Sequence, residues 1–544
     1  MLTPAFVNIA AHLPRMAQLQ PDTTAIIFPR DNQRLTFQEL DRLSDRICHG
    51  LTANNISQGT RTVLMVTPSP EFFALTFALF KVGAVPVLID PGLGIKNLRS
   101  CLAEAQPSAF IGIPTAQIAR LLFGWAKQSL KTIITVGPRL FWGGSTLNAL
   151  IKASPDTPFR PVETAAEDQA AILFTSGSTG PPKGAVYSHG NFSAQVEALK
   201  QVYRIQPGEI DLPTFPLFAL FAPALGMTAV IPEMDFTRPG SVDPQKIISA
   251  ITSHKVTTMF GSPALINRVG RYGAERGIKL PTLQRVISAG APVPAVVLER
   301  FSQMLADGVE IFTPYGATES LPVCSIGSRE ILGDTRAVTE NGGGVCIGKP
   351  VDGIRVELIR ISDDPVAAWS DDLRVAPGQV GEIVVQGPQV TRGYFQRPEA
   401  DQLSKISDPS GGFFHRMGDL GRQDSQGRLW FCGRKSHRVE TLHGPLFTIP
   451  VEAVFNTHPA VYRSALVGIG PKGSQQPVIC IEPEQGVSVS QEQLRSELLR
   501  IAASHPHTKE VTTILFHPAF PVDIRHNAKI FREKLAIWAA EQLA

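Results

Sequence analysis

Short β-branched runs alternate with amphipathic stretches over most of the chain, the pattern of β-α-β units around a parallel sheet. Strands are predicted at 62–67, 85–89, 109–113, 132–136, 170–174, 257–260 and 285–288, with a helix over 71–82. After about position 340 the texture changes to glycine-punctuated short strands such as 354–358 and 381–386, a smaller β-rich section that closes the first domain. The polar stretch 362–377 reads as an exposed loop, and the last hundred or so residues read as α+β. One segment, 212–232, carries no charge over a length that could span a bilayer. Pro213, Pro216, Pro223 and Pro232 interrupt it, and each interior proline removes a helix hydrogen bond, so it is expected to be buried structure beside an apolar cavity.

Composition narrows the function classes. A chain of 544 residues is several times a common domain length, so at least two packed units are expected. With 18% charged residues and a net charge of +3, there is no electrostatic footprint for nucleic acid or a membrane surface. The six cysteines have no spacing suited to zinc and are expected to be reduced and mostly buried, which fits a cytoplasmic location. The N-terminal residues lack the basic stretch and unbroken apolar run of a signal peptide, and no membrane span is expected.

The candidate chemistry begins at Thr175-Ser176-Gly177-Ser178-Thr179-Gly180-Pro181-Pro182-Lys183-Gly184. Small residues and glycines after an apolar strand let backbone amides and hydroxyls converge on phosphate oxygens, and Lys183 adds positive charge. The loop is built to hold a polyphosphate. It is not a Walker A loop, because no Gly-Lys-Ser/Thr follows at the required spacing.

Further motifs follow in order: Tyr315-Gly316-Ala317-Thr318-Glu319, Val390-Thr391-Arg392-Gly393-Tyr394, Gly418-Asp419, Gly433-Arg434 and Lys529. With Leu35-Thr36-Phe37-Gln38-Glu39-Leu40 at the start, the chain resembles, end to end, the acyl-adenylate-forming superfamily of acyl-CoA synthetases, adenylation domains and luciferases. The resemblance implies an α/β N-terminal domain over 1–433 that binds ATP and acid, and a small mobile α+β domain over 434–544. It also implies roles. Ser176 to Lys183 would guide pyrophosphate, Thr318 would hold the α-phosphate region, and Glu319 would bind Mg²⁺. Asp419 would accept from the ribose hydroxyls, assisted by Arg434, while Gly290, Ala291 and Pro292 would face adenine and Tyr315 would stack on it. Lys529 would reach between the substrate carboxylate and the α-phosphate, where negative charge builds in the transition state.

The thioester-forming branch carries an aspartate after the Gly-Arg pair and a Lys-Gly soon after; here Ser436 follows Lys435 and no lysine precedes Gly444. Ala219 replaces the histidine usual after Pro216-Leu217-Phe218, and Arg525-His526-Asn527-Ala528-Lys529 stands where a Ser-Gly-Lys is usual. The adenylation parts are intact while the thioester parts are altered. Segments 236–239, 447–459 and 522–530 resemble the β-lactone synthetases of bacterial long-chain olefin biosynthesis. That resemblance implies ATP and a 2-alkyl-3-hydroxy fatty acid as substrates, a β-lactone as product, and an assembly with other olefin-pathway enzymes. A medium- or long-chain acyl-CoA ligase stays open as the alternative. The acyl pocket is expected to draw on 215–227, although core packing would explain the same residues equally well.

Overall fold

The helix predicted over 71–82 forms at Pro70–Lys81, and the sequence explains both its start and its burial. The Ser69 side chain accepts the Phe72 amide and Pro70 supplies a preset φ in the first turn. Every residue from Phe72 to Lys81 is buried, so this helix runs through the core. The Lys81 ammonium is inside too, held by Asp41 at 2.6 Å and Asp45 at 2.5 Å. The longer helix Phe37–Ala53 begins with a reciprocal capping box between Thr36 and Glu39.

The computed structural model describes residues 6–175, 181–215, 219–486, 489–522 and 530–544. Among them, two seven-stranded sheets build the first part of the chain. In one, Arg61–Met65 pairs in parallel with Val85–Ile89 and Ala109–Gly112, and Val85–Ile89 pairs in parallel with Gln169–Thr175. Lys183–Ser188 then returns antiparallel to Gln169–Thr175. In the other, Ile210–Pro213, Thr228–Val230, Thr258–Phe260, Arg285–Ile287 and Glu310–Phe312 are joined by parallel pairings. Helices cover both, as the alternating pattern requires.

The third sheet is antiparallel, and it starts earlier than the glycine-rich texture after about 340 suggested. Its first strands are Tyr315–Ala317 and Ser320–Ser325, which carry a chemical motif and so lack a clean two-residue alternation. The segment 362–377 is not simply an exposed loop: Trp369 is buried against Phe414, ring centroids 4.4 Å apart. The described residues of the uncharged segment 212–232 are mostly buried, and the segment contributes to the strands Ile210–Pro213 and Thr228–Val230. Among the described residues no helix is long and apolar enough to cross a membrane. All six cysteines are free and buried.

The final section is α+β: Val461–Ile469, Gln476–Pro483 and Thr513–Phe516 form a sheet packed by Thr448–Phe455, Gln491–Ala503 and Arg532–Leu543. Its apolar side chains form two clusters of their own, drawn from residues between Val439 and Ala539.

Candidate active site

A single large cleft of about 2760 Å³ receives the ends of all three N-terminal sheets and faces the C-terminal section. Lys183, Gly290, Ala291, Pro292, Tyr315, Gly316, Thr318, Glu319, Asp419 and Arg434 all line it. Positions scattered over some 250 residues are thus brought together as the ordered motifs anticipated. Thr175 ends its strand opposite Lys183 in the hairpin register. Ser176, Gly177, Ser178, Thr179, Gly180 and Lys529 lie outside the described residues.

Sheet register explains one charged pair in the cleft. Asp419 on Phe413–Gln423 is the cross-strand partner of Arg434 on Leu429–Arg434, so two charges distant in sequence face each other. An Arg434 Nη1 lies 3.0 Å from Asp419 Oδ1, and the Tyr315 hydroxyl donates to Oδ2 at 2.7 Å. Asp419 is buried, and burial pushes its carboxyl above the usual range against the pull of the Arg434 cation. Its Oδ1 is ion-paired with Arg434 but accepts no well-aligned hydrogen bond among the described residues.

On the phosphate side, Thr318 and Glu319 occupy the turn between Tyr315–Ala317 and Ser320–Ser325. The tyrosine hydroxyl of Tyr187 donates to the Thr318 carbonyl, and Tyr187 is stacked on Phe192 at 4.6 Å. Gly316 is required where it stands, since a Cβ would approach Ser320 O to 2.7 Å. Lys183 Nζ sits 5.0 Å from the centre of the Tyr394 ring, and the Tyr394 hydroxyl donates to Glu319 Oε1 at 2.6 Å. Behind them Lys405 donates to the Thr391 carbonyl, and burial brings its ammonium down to about 7 against the opposing pull of Glu319 and Asp401. Gly290 follows Arg285–Ile287 with φ +102°, a conformation suited to glycine.

The apolar side departs from the expected segment. Ala219, Ala222, Ala224, Leu225 and Met227 are buried in the main core cluster, whereas Thr214, Phe215, Phe236, Thr237, Arg238 and Phe260 line the cleft. Residues 216–218 lie outside the described residues. The sequence reading also missed Tyr187 and Lys405, which belong to no motif and announce themselves only through burial and contact.

The first of three comparisons is with protein families: residues 13–395 match the family model described as AMP-binding enzyme. The chain is 51% identical to an olefin beta-lactone synthetase of Xanthomonas campestris pv. campestris, covering 98% of each chain. It is also 51% identical, over 98% of each chain, to an olefin beta-lactone synthetase of Stenotrophomonas maltophilia. Among solved structures, an anthranilate CoA ligase in complex with anthranoyl-AMP superposes with TM-score 0.81 at 20% identity, covering 99% of each chain. That likeness bears out the α/β fold read from the sequence. With its family model spanning most of the length and its motifs gathered in one cleft, this chain belongs to the AMP-binding enzyme family.

Proposed function

We propose that the chain is an ATP-dependent olefin β-lactone synthetase that adenylates a 2-alkyl-3-hydroxy fatty acid and closes it to a β-lactone. The observation that carries this reading is the 51% identity, along 98% of the chain, to two enzymes bearing that name. The chemistry of the cleft supports it. Lys183 and the loop 175–180 hold the triphosphate and guide pyrophosphate out, with Thr318 beside the α-phosphate. Asp419, buried and ion-paired with Arg434, takes the ribose hydroxyls. Gly290, Ala291, Pro292 and Tyr315 flank the base. Among the described residues no three His, Cys, Asp or Glu side chains converge as a metal site. Glu319 offers one carboxylate, which suits Mg²⁺ arriving on the phosphates of ATP, an ion bound through one or two carboxylates plus phosphate and water oxygens.

In the first step a carboxylate oxygen bonds to the α-phosphorus as its bond to the pyrophosphate oxygen breaks. Lys529, in this reading, stabilises the charge that develops there. In the second, the β-hydroxyl oxygen bonds to the acyl carbon, loses its proton, and AMP departs. Attack within one molecule can have an effective molarity of about 10⁵ M or more, which favours closing a strained ring. The division into 1–433 and a mobile 434–544, a cytoplasmic location consistent with six reduced cysteines, and assembly with other pathway enzymes belong to the same proposal.

The test supplies the full chain with ATP, Mg²⁺ and a 2-alkyl-3-hydroxy acid, with and without coenzyme A, and identifies products by NMR. β-Lactone, AMP and pyrophosphate are expected in both arms. Thioester formed only when coenzyme A is added would overturn the reading in favour of an acyl-CoA ligase.

A further inference from the structure

Tyr394, which ends the motif at 390–394, has no role in the chemistry proposed above, yet its side chain touches both Lys183 and Glu319. We infer that Tyr394 is a positioning residue: its phenol fixes the Glu319 carboxylate while its ring face fixes the Lys183 ammonium, setting their spacing for a metal-bound triphosphate. The inference rests on the proposed roles of Glu319 and Lys183 and goes beyond them.

The geometry is over-determined. Segment 393–395 pairs with Lys183–Ser188: the Phe395 amide donates to Gly184 O at 2.8 Å, the Val186 amide donates to Gly393 O at 3.0 Å, and Ala185 bridges Tyr394. The backbone bearing Lys183 therefore also bears Tyr394. The Tyr394 amide is itself tied to Asp401 Oδ1 at 2.8 Å. Gly393 permits this approach, because a Cβ there would lie 2.7 Å from the Asp401 carboxylate.

From that anchored position the phenol reaches Glu319 Oε1 at 2.6 Å, and among the described residues it is the donor to that carboxylate. One oxygen is thus held and Oε2 is left for a ligand. The Glu319 main chain is held from the same segment, since the Thr391 amide donates to Glu319 O at 2.8 Å and Lys405 secures the Thr391 carbonyl from behind. A hydrogen-bond partner behind a metal-binding carboxylate typically contributes 10- to 100-fold in metal affinity or activity.

Tyr394→Phe keeps the ring and removes the hydroxyl. In the full chain with a non-hydrolysable ATP analogue, Mn²⁺ affinity read by electron paramagnetic resonance is expected to fall about 10-fold or more, with metal-free nucleotide affinity unchanged. kcat for adenylation should fall more than KM for ATP rises. Unchanged Mn²⁺ affinity in Tyr394→Phe, with Glu319→Gln strongly weakened, would overturn the inference alone; unchanged affinity in Glu319→Gln would overturn the metal role beneath it. Tyr394→Leu also removes the face under Lys183, and a further loss of nucleotide affinity relative to Tyr394→Phe is expected. Equal affinities in the two variants would remove the ring from the proposal.

Discussion

Asp211 shows what burial does to a single carboxyl. It sits on Ile210–Pro213 almost without solvent, and burial raises its pKa to about 8 despite the nearby Arg285 cation, with Glu209 adding to the rise. The unfolded chain ionises this group near its ordinary value, whereas the folded chain keeps it protonated. Its contribution to stability is therefore complete at low pH and is lost as pH rises from about 4 to about 8. Asp211→Asn keeps the shape and an acceptor for the Leu212 amide but cannot ionise. It should raise stability at pH 8 by about 1 kcal/mol or more and leave it nearly unchanged at pH 4, measured by urea unfolding at both pH values. At this scale the sequence was legible only in part. Lys183, Thr318, Glu319, Asp419 and Arg434 were visible because their neighbours form motifs. The contacts that support them were not: Tyr187 reaches Thr318, Tyr315 reaches Asp419 and Tyr394 reaches Glu319 across 131, 104 and 75 residues respectively. Spacing along a chain carries no information about such pairs until register and crossover are known.

Elements were easier to read where one physical rule dominated. Buried parallel strands and the apolar helix Pro70–Lys81 are continuous hydrophobic runs, and they appear within a residue or two of the expected bounds. Tyr315–Ala317 and Ser320–Ser325 were not anticipated as strands, since polar motif residues interrupt their alternation. The uncharged segment at 212–232 was legible as buried but not as core rather than cleft, because both ask for the same side chains. One element boundary is unusually intolerant. Gly433, on the strand Leu429–Arg434, has φ +120°, and a Cβ there would lie 2.2 Å from Thr448 Oγ1 on the next helix. Gly433→Ala is expected to lose about 1–3 kcal/mol from backbone strain, with the clash adding to it. Adding Thr448→Ala should recover the clash but not the strain, so partial rescue in urea unfolding is the expected result; full rescue would show that backbone conformation costs nothing there.

Across the whole molecule, the junction between the large and small sections is fastened by charge as well as by packing. Glu382 is fully buried; Arg416 Nη2 donates to its Oε2 at 2.6 Å and Lys435 Nζ donates to the same oxygen at 3.1 Å. Lys435 also reaches Ser362 O at 2.8 Å, and Arg416 reaches Asp364 O at 2.7 Å, so one carboxylate organises three distant segments. Glu382→Gln leaves the buried Arg416 and the partly buried Lys435 short of countercharge and should lower stability by about 3–5 kcal/mol in urea unfolding. Lys435→Met should cost clearly less, because Arg416 keeps its partner; the reverse order would mean that the lysine rather than the carboxylate is the keystone. Motif order made the overall architecture readable before any contact was known, but this fastening was not, since Glu382 lies in an ordinary strand pattern. In its proposed role, the burial of Asp419 has a consequence for discrimination among nucleotides. A sugar lacking a hydroxyl that would meet this carboxylate leaves part of its desolvated acceptor capacity unfilled, at about 1–3 kcal/mol. On that proposal ribose would be told from deoxyribose by roughly 10- to 100-fold, through an omission that the enzyme punishes rather than a contact that it rewards.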